Sequence, residues 1–415
     1  MRLLLVYDHH FLRAADGAVY AGHPMAIPGY VAWQPYLRVF EEITVLGRMG
    51  RLERGEVPRG APADGPGVAF HGVPDYLGPW QYVRRYPTVA LAVRRAVSEG
   101  DAYILKAPGV LGQMARRHIV NRARPYALEV IADPWDLLAP GATPSVMRPM
   151  IRRRWTRALH SMCREAAAIS YVTCEALQRR YPPGPQTWST FVSDVDLRSV
   201  ELAGADLLDE RIRRWDSGFS NGTPVRRLRI GFVGALGSLY KGPDVLLGAV
   251  ADGLKAGLDV ELLYVGDGKC RSDLQEMSRR LGVENRVSFL GALLPGRAIQ
   301  DFLDGLDLFV LPSRQEGLPR AMVEAMARGC PCIGSTVGGI PELLSAEDMV
   351  RPQDREGLVA KMREVLLKPE RLEAMARRNL TTASEYRPET LDQRRMEFYR
   401  KVREQAESAR PVMIR

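Results

Sequence analysis

Residues 228–247 read LRIGFVGALGSLYKGPDVLL, and this stretch decides the fold class that we predict. Its first seven residues are almost continuously apolar, which is typical of a strand buried in a parallel sheet. A loop containing glycines follows, and a helical pattern begins near Pro243. A strand, a glycine loop and a helix in this order indicate one βα unit of a doubly wound sheet.

The same alternation of apolar runs and helical patterns recurs in both halves of the chain. The predicted strands are 3–7, 43–47, 102–106, 126–132, 167–173, 228–234, 260–266, 286–291, 306–312 and 330–335. The predicted helices are 83–98, 110–122, 243–256, 270–281, 296–304 and 319–328. We therefore predict an α/β protein with two doubly wound, Rossmann-like domains and a ligand site in the cleft between them.

The domain boundaries follow from composition. We predict an N-terminal domain over residues 1–200 and a C-terminal domain over residues 228–385, both Rossmann-like. Residues 201–227 hold a charged segment and the turn sequence SNGTP, so they are predicted to be a linker. Residues 386–415 are predicted to be a helical tail, and packing back on the N-terminal domain is one arrangement open to it.

Composition excludes several classes of protein. The chain has 415 residues, a formal net charge of +9 and five cysteines. No apolar run approaches the ~18 residues of a membrane span, and no zinc-finger spacing or basic tail indicates nucleic acid. Cys330 and Cys332 lack a second pair, so we predict no metal site. We expect a cytoplasmic protein with an anionic partner.

The loop after the strand 228–234 has features of a phosphate site. Gly234 and Gly237 permit close backbone approach, Lys241 adds a positive charge, and Gly266 ends the next strand in YVGDG. The spacing matches neither a P-loop nor the dinucleotide fingerprint. Taken alone, a glycine turn with a solvated lysine explains the loop equally well.

A second motif, PSRQEGLPRAMVEAMARG over residues 312–329, carries two glutamates. Glu316 precedes a predicted helix and Glu324 lies inside it. Carboxylates accept hydrogen bonds from vicinal hydroxyls, so two of them beside a phosphate site suit a ribose and a second sugar. The alternative is that Glu316 complements the helix dipole and Glu324 is a surface residue.

Five motifs in order, FVGALGSLYKGPDVLL, LLYVGDG, NRVSFLGAL, DLFVLPSRQEGLPRAMVEAMARGCP and STVGGIPELL, resemble the retaining glycosyltransferases of family four, which have the GT-B fold. The resemblance is dense over residues 229–345. It implies that Glu316 contacts the donor sugar, Glu324 the ribose and Lys241 the diphosphate. It also implies that the backbone at Gly317 and Leu318 faces the donor sugar, and that neither metal nor cofactor is required beyond a UDP- or GDP-linked sugar substrate.

This sequence departs from the family pattern in two places. Many members carry an arginine directly after the glycine of the first C-terminal strand, where this chain has Ala235. Arg314, which we count among the donor-binding residues, or Arg320 could supply that charge. The family's N-terminal histidine is also absent, and Asp133 at a strand end is the catalytic candidate there, alongside Glu316 and Lys241. A turn-forming Asp-Pro explains Asp133 equally well.

Acceptor-binding candidates lie in the N-terminal half. Lys106 ends a predicted strand, where it could face phosphate or snorkel to the surface. Asp16, Tyr20 and Trp33 lie in a long loop of glycines, prolines and aromatics after the first strand.

Residues 148–166 form an amphipathic pattern with Ile151, Trp155, Leu159 and Met162 on one face and four arginines elsewhere. An ordinary packed helix is the favoured interpretation, and contact with an anionic membrane is the alternative.

We predict a retaining glycosyltransferase that moves a sugar from a nucleotide diphosphate sugar to a hydroxyl acceptor. The acceptor expected is a saccharide or lipid-linked saccharide in polysaccharide or glycoconjugate biosynthesis. A GT-B-fold nucleotide-sugar epimerase and a catalytically silent nucleotide-sugar-binding subunit are the alternatives. Nucleic acid is not an expected partner.

Overall fold

The computed structural model describes residues 1–22, 29–52, 60–138, 147–198, 200–220 and 223–409 of the chain. Contacts divide the chain into two units. The N-terminal unit contains Met1–Val192 together with the residues from Asp392 onward, and the C-terminal unit contains Ser193–Leu391.

The N-terminal unit is built on an eight-stranded sheet. Its strands are β1 (Arg2–Arg13), β2 (Val19–Ala21), β3 (Glu42–Arg51), β4 (Val68–Pro74), β5 (Ala102–Ala107), β6 (Ala127–Val130), β7 (Ala168–Tyr171) and β8 (Trp188–Phe191). They lie in the order β4-β3-β1-β5-β6-β7-β8 with parallel pairing, and β2 pairs antiparallel with β1. The first strand is longer than the predicted 3–7, since it continues through His9 and His10 into the β1–β2 hairpin.

The helices of this part of the chain are α1 (Gln34–Leu37), α2 (Gly78–Glu99), α3 (Val110–Val120), α4 (Pro134–Leu137), α5 (Arg148–Glu165) and α6 (Ala176–Arg180). Three of them, α2, α3 and α5, pack on one face of the sheet. Val93, Met114 and Met162 from these helices share a buried cluster with Leu4 and Val6 of β1.

The C-terminal unit contains a six-stranded sheet and a small hairpin. The hairpin strands are β9 (Phe219–Ser220) and β10 (Thr223–Pro224), and the sheet strands are β11 (Leu228–Val233), β12 (Val260–Val265), β13 (Val287–Phe289), β14 (Leu308–Leu311), β15 (Cys332–Ser335) and β16 (Met349–Val350). The sheet order is β13-β12-β11-β14-β15-β16, and every pair in it is parallel. The strand order therefore reverses direction between β11 and β14.

The helices that follow in the chain are α7 (Ala205–Ser217), α8 (Pro243–Lys255), α9 (Arg271–Arg280), α10 (Arg297–Asp304), α11 (Arg320–Ala327), α12 (Ile340–Leu343), α13 (Arg355–Leu366), α14 (Pro369–Ser384) and α15 (Pro388–Ser408). The two doubly wound sheets confirm the predicted α/β fold class. None of the helices in the described ranges is long and apolar enough to cross a bilayer.

The predicted linker 201–227 is wrong, because most of this segment packs in the C-terminal unit. Helix α7 buries Leu208 and Trp215 in the core of that unit. The Trp215 indole nitrogen donates a hydrogen bond of 3.0 Å to the carboxylate of Asp307. Arg211, also buried, donates to the carbonyls of Leu303 and Leu306. The charges that suggest a solvated linker instead satisfy carbonyls at the end of α10.

Helix α15 returns to the N-terminal unit. Phe398, Tyr399 and Val402 share a buried cluster with Leu3 and Leu5 of β1, on the sheet face opposite to α2, α3 and α5. The residues of a β-strand point alternately to the two faces, so Leu3 and Leu5 pack against α15 while Leu4 and Val6 pack against the other helices.

Candidate active site

The point where the strand order reverses in the C-terminal sheet brings two loops together. Residues 234–242 follow β11, and residues 312–319 follow the neighbouring strand β14. Gly242 has a φ of +72°, and a Cβ atom there would lie 2.1 Å from the Pro312 carbonyl oxygen. Only glycine allows this contact between the two loops. Open parallel sheets bind ligands at such a position.

Lys241 and Glu316 form an ion pair across these two loops. The Lys241 Nζ atom lies 2.8 Å from Glu316 Oε1, and their side chains are 14% and 7% exposed. The Ser313 hydroxyl donates a 2.9 Å hydrogen bond to the same oxygen. Burial lowers the pKa of Lys241, but the charge of Glu316, the nearby Tyr240 and the hydrogen bonds to both together outweigh it, so the pKa is raised above its usual value. Lys241 is therefore charged at neutral pH.

Glu324 lies in the second turn of α11 and has a different environment. Its side chain is half-buried, and it makes no hydrogen bond or ion pair with any residue that the structure describes. Burial raises the pKa of Glu324, and the charges of Arg320 and Lys241 partly offset this rise. The influence of Lys241 places Glu324 in the electrostatic neighbourhood of the first pair. Two carboxylates and one ammonium group thus share this end of the sheet.

The glycine-rich turn after β15 supports the backbone near Glu316. The Gly339 amide donates a 2.6 Å hydrogen bond to the Gly317 carbonyl. Gly338 has a φ of +54°, and a Cβ atom there would lie 2.0 Å from the Glu316 carbonyl oxygen. Leu318 also packs closely against Gly339. The segment STVGG at the end of β15 therefore fixes the backbone of the residues that are predicted to contact the donor sugar.

The glycines of the loops after β11, β12 and β14 differ in the space around them. A Cβ atom at Gly266, which has a φ of +132°, would lie 2.0 Å from the Gly234 carbonyl oxygen, so these loops touch. Gly237 and Gly317 have no heavy atom within 4 Å of such a Cβ. Their open sides leave space beside Lys241's loop and beside Glu316 for a ligand.

Residues 227–368, which contain this whole constellation, match the family model described as glycosyl transferases group 1. Protein CapJ of Staphylococcus aureus is 26% identical over 354 residues, which cover 85% of this chain and 83% of that protein. These similarities support a glycosyltransferase of the family-four type. The resemblance to glycosyltransferases that the sequence predicts is thereby confirmed.

Solved structures match the glycosyltransferase along nearly its whole length. Sucrose-phosphate synthase of Thermosynechococcus elongatus superposes with a TM-score of 0.66 at 16% identity, covering 97% of this chain and 99% of that one. Anabaena HepE, solved with UDP and glucose, gives a TM-score of 0.60 at 19% identity, covering 98% and 100%. These similarities show the GT-B fold.

Other curated relatives match a shorter part of the glycosyltransferase. They include D-inositol 3-phosphate glycosyltransferases and a 2-deoxystreptamine glucosyltransferase of Streptomyces kanamyceticus. They are 32–40% identical over 22–38% of this chain, which spans 23–40% of their own length.

Arg314 was predicted to supply the charge that is missing at Ala235. In the structure it has another partner. Its guanidinium forms a bidentate pair with Asp244 in the first turn of α8, at 2.8 and 2.6 Å. Asp244 therefore already neutralises the charge of Arg314. Arg320 is exposed at the start of α11 and acts electrostatically on Glu324, so its compensating role stays a prediction.

Asp133 in the N-terminal unit has a structural explanation. It is the N-cap of α4, where its Oδ1 accepts a 2.7 Å hydrogen bond from the Trp135 amide and a 2.5 Å bond from the Tyr181 hydroxyl. Its other oxygen pairs with Arg180. These contacts account for a buried aspartate before a proline, so its catalytic role stays a prediction that they do not support.

Two acceptor-binding predictions need correction. Trp33 is 2% exposed and donates a 2.8 Å hydrogen bond from its indole nitrogen to the Ala63 carbonyl, so it belongs to the core. Lys106 forms a 2.6 Å ion pair with Glu129, its neighbour in register on β6, rather than presenting a free charge. Sequence could not distinguish a buried aromatic in a loop from a ligand-binding one.

Asp16 and Tyr20 lie in the β1–β2 hairpin. The Asp16 carboxylate accepts a 3.0 Å hydrogen bond from the Ala18 amide, and Tyr20 pairs with Leu12. Both remain predicted acceptor contacts, although residues 23–28 of the same predicted loop lie outside the described residues.

Several residues of the site were missed by the sequence analysis. Ser313 binds Glu316, and Asp244 binds Arg314. The position of neither residue in the sequence indicates its partner. Within the described ranges, no cluster of three or more His, Cys, Asp or Glu residues could hold a metal ion.

Proposed function

We propose that the glycosyltransferase retains the anomeric configuration and moves a sugar from a UDP- or GDP-linked donor to a hydroxyl of a saccharide or lipid-linked saccharide. The observation that carries this proposal is the ion pair of Lys241 and Glu316 at the strand reversal, beside Glu324, which has no partner among the described residues. Retention is supported by the resemblance to family-four enzymes alone. Participation in polysaccharide or glycoconjugate biosynthesis is part of the same proposal.

Binding of the donor would separate the ion pair, and Lys241 and Glu316 would each contact the donor instead. Lys241, held by Glu316 in the ligand-free chain, would turn to the diphosphate and stabilise the negative charge that develops on it as the glycosidic bond breaks. The freed Glu316 would accept hydrogen bonds from donor-sugar hydroxyls. Glu324 would accept both hydroxyls of the ribose, because a carboxylate offers acceptor sites on two oxygens. The amides after β14 would complete the contacts near Gly317.

The acceptor hydroxyl would attack from the face that the diphosphate leaves. The proton of that hydroxyl would pass to the departing diphosphate oxygen, which needs no protein nucleophile. No metal ion enters this scheme, because Lys241 supplies the charge that a metal would supply elsewhere. A cytoplasmic site of action belongs to the proposal.

A panel of UDP- and GDP-linked sugars tests the proposal. The purified chain is incubated with each donor in the presence of EDTA, and donor hydrolysis is followed by release of the nucleotide. We expect slow hydrolysis of one donor, with the released sugar first appearing in the donor's own anomeric configuration by NMR. Inversion, or dependence on an added divalent ion, would refute the corresponding part of the proposal. Rearranged free sugar would indicate an epimerase, and binding without turnover would indicate a silent subunit.

A further inference from the structure

Two helices of the N-terminal unit, α2 and α5, begin at the same edge of the sheet. Helices α2, α3 and α5 each follow a strand and run back along one face, so their N-terminal ends lie at the carboxyl edge of the strands. Among the side chains that the structure describes, the first buried residue of α2 is Val89, and that of α5 is Leu159. The described side chains of residues 78–88 and 148–158 are therefore exposed or half-buried.

The N-terminal ends of these two helices expose large apolar side chains. Trp80 is 84% exposed, and Leu77 and Val83 beside it are 66% and 63% exposed. At the start of α5, Met147 and Met150 are 52% and 57% exposed. Single exposed apolar residues are ordinary, but a cluster of this size around a tryptophan marks an interaction surface.

The same ends are strongly basic. Residues 78–88 contain two arginines and residues 148–158 contain five, and neither segment contains an aspartate or glutamate. Arg153, Arg154 and Arg157 are exposed, and the described part of the chain offers none of them an ion pair. Their charges are therefore available to an external anion.

Tyr82 connects the two ends into one surface. Its hydroxyl donates a 3.6 Å hydrogen bond to the Met114 sulfur of α3, the helix that lies between α2 and α5. Arg154 of α5 and Arg117 of α3 are close enough to lower the pKa of Tyr82, against the rise that burial causes. Arg154 of α5 thus lies in the electrostatic neighbourhood of Tyr82 of α2, and α3 adjoins both helices, since Arg116 of α3 donates hydrogen bonds to Ser161 and Glu165 of α5.

We propose that this docking surface, formed by residues 77–86 and 147–157, binds the anionic face of a lipid bilayer. Trp80, Leu77 and Val83 would enter the interfacial region, where tryptophan is favoured, and the arginines would contact lipid phosphates. A soluble anionic polymer would satisfy the arginines but would leave the apolar cluster in water. The combination therefore selects a bilayer.

Helix α5 alone does not explain the surface. The amphipathic pattern of residues 148–166 buries Leu159 and Met162 in the core and half-buries Ile151 and Trp155. This is the packed-helix interpretation that the sequence favoured. The most exposed apolar side chains are on α2, so the proposal makes α2 the inserting element and α5 the source of charge.

Co-sedimentation of the full chain with vesicles tests the proposal. The vesicles contain either phosphatidylcholine alone or phosphatidylcholine mixed with phosphatidylglycerol. We expect binding to the mixed vesicles, weakened about tenfold by Trp80→Ser and by roughly fivefold for each charge removed in Arg153→Gln/Arg154→Gln. Leu294→Ser, which changes an 80% exposed leucine of the C-terminal unit, and Arg279→Gln/Arg280→Gln in α9 are the matched controls, and both should bind like the unmodified chain.

Three outcomes would overturn the proposal. The first is no binding to mixed vesicles, and the second is equal loss of binding in the controls and the docking-surface variants. The third is binding that depends on the arginines but survives Trp80→Ser, which would indicate an anionic saccharide. The unfolding midpoint of Trp80→Ser should equal that of the unmodified chain, because the side chain is exposed. Vesicle binding needs no turnover, so its failure is distinguishable from a failure of the proposed transfer reaction.

Discussion

The carboxylates of Glu316 and Glu324 lie at the same end of one sheet, yet their environments give them different roles. Glu316 receives hydrogen bonds from Lys241 and Ser313, so its position is fixed before any ligand binds. Glu324 has no such partner among the described residues and is held only by the helix α11. A half-buried carboxylate without hydrogen bonds costs free energy, and a ligand with two hydroxyls would recover it.

Replacing Glu324 with glutamine should weaken donor binding without lowering the free energy of unfolding at neutral pH. We expect the Kd for the preferred nucleotide sugar to rise about tenfold, since hydrogen bonds to a charged acceptor are lost. The pKa of Glu324 is raised by burial, so the folded state binds its proton more tightly than the unfolded state. The free energy of unfolding of the unmodified chain therefore falls as pH rises from the usual value of 4.5 through the folded pKa.

The Glu324→Gln variant should lack the pH dependence that this carboxylate causes. Its free energy of unfolding at neutral pH should equal or exceed that of the unmodified chain. Calorimetric titration with donor and urea unfolding across pH provide the two measurements. Glu276→Gln on the surface of α9 is the control and should change neither the Kd nor the pH profile. An unchanged Kd for Glu324→Gln would show that the ribose lies elsewhere.

Lys241→Met should destabilise the C-terminal unit more than a surface change does. It leaves Glu316 buried without its counter-ion, which costs about 3–5 kcal/mol in comparable pairs. Glu316→Gln in the same chain should recover part of this loss, because residues in direct contact are coupled by about 0.5–3 kcal/mol. The raised pKa of Lys241 means that the pair contributes fully at neutral pH and is lost only as pH rises through that pKa.

Urea unfolding of both single variants and the double variant gives the coupling directly. Lys361→Met is the control, because its ion pair with Glu364 is more exposed and should contribute under about 1 kcal/mol. Additive losses in the two single variants would show that the Lys241–Glu316 contact is not energetically significant. Donor turnover should be abolished in Lys241→Met in either case.

At the scale of elements, the site depends on glycines where strand-end loops cross. The turn after β15 contacts the loop after β14 through Gly338 and Gly339, and the loop after β11 contacts it through Gly242. These contacts join loops that are distant in sequence and adjacent only because β11, β14 and β15 are neighbours in the sheet. The sheet order therefore positions the site.

Gly338→Ala should lower both stability and donor affinity. The φ of +54° is unfavourable for alanine, and the new methyl group would overlap the Glu316 carbonyl oxygen. Gly257→Ala is a matched control, because Gly257 has a φ of +84° but no atom within 4 Å of the added Cβ. We expect Gly257→Ala to cost about 1 kcal/mol and Gly338→Ala at least about 2 kcal/mol more.

Denaturant unfolding and donor titration of both glycine variants check this expectation. The donor Kd should rise in Gly338→Ala alone, since only that substitution displaces the backbone of Glu316 and Gly317. Equal losses of stability in the two variants would mean that backbone strain, and not the contact between loops, explains the glycine.

The strands and helices between residues 228 and 335 could be predicted because most of the strands are short apolar runs, whereas α7 and the elements between β15 and α15 were not predicted. The predicted helix 319–328 corresponds to Arg320–Ala327, with Pro319 before it and Gly329 after it. Strand β4 (Val68–Pro74) was missed, because VAFHGVP combines histidine, glycine and proline with its apolar residues. Trp33 was assigned to the acceptor because burial in a loop depends on distant residues such as Ala63.

The ion pair itself was beyond sequence reasoning. Lys241 and Glu316 were each identified as donor contacts, but they are separated by 75 positions, and nothing local indicates that they bind each other. The same holds for the buried contacts of Lys106 with Glu129 and of α7 with α10. Pairings across a sheet become visible only once the strand order is known.

At the scale of the whole molecule, the N-terminal unit is formed by two separate stretches of the chain, whereas the C-terminal unit is continuous. The last helix, α15, packs on the N-terminal unit although it follows the C-terminal unit in the chain. Tyr399 of α15 and Tyr36 stack at 4.4 Å between ring centroids and both donate hydrogen bonds to the buried Glu129. The N-terminal sheet therefore acquires part of its core from the final helix.

Phe398→Ala should accordingly destabilise the N-terminal unit, although the substitution lies close to the end of the described chain. Phe398 is 1% exposed and stacks near Trp188 of β8, so its removal leaves a cavity that costs about 3–5 kcal/mol. Amide hydrogen exchange should report lower protection in β1 and β3, while β11 and β14 keep the protection they have in the unmodified chain. Arg400→Ala, an exposed position on the same helix, should leave both sheets unchanged. Loss of protection confined to β11 and β14, or no loss at all, would contradict the assignment of α15 to the N-terminal core. A loss confined to β1 and β3 would show that the end of the chain stabilises the sheet on which the chain begins.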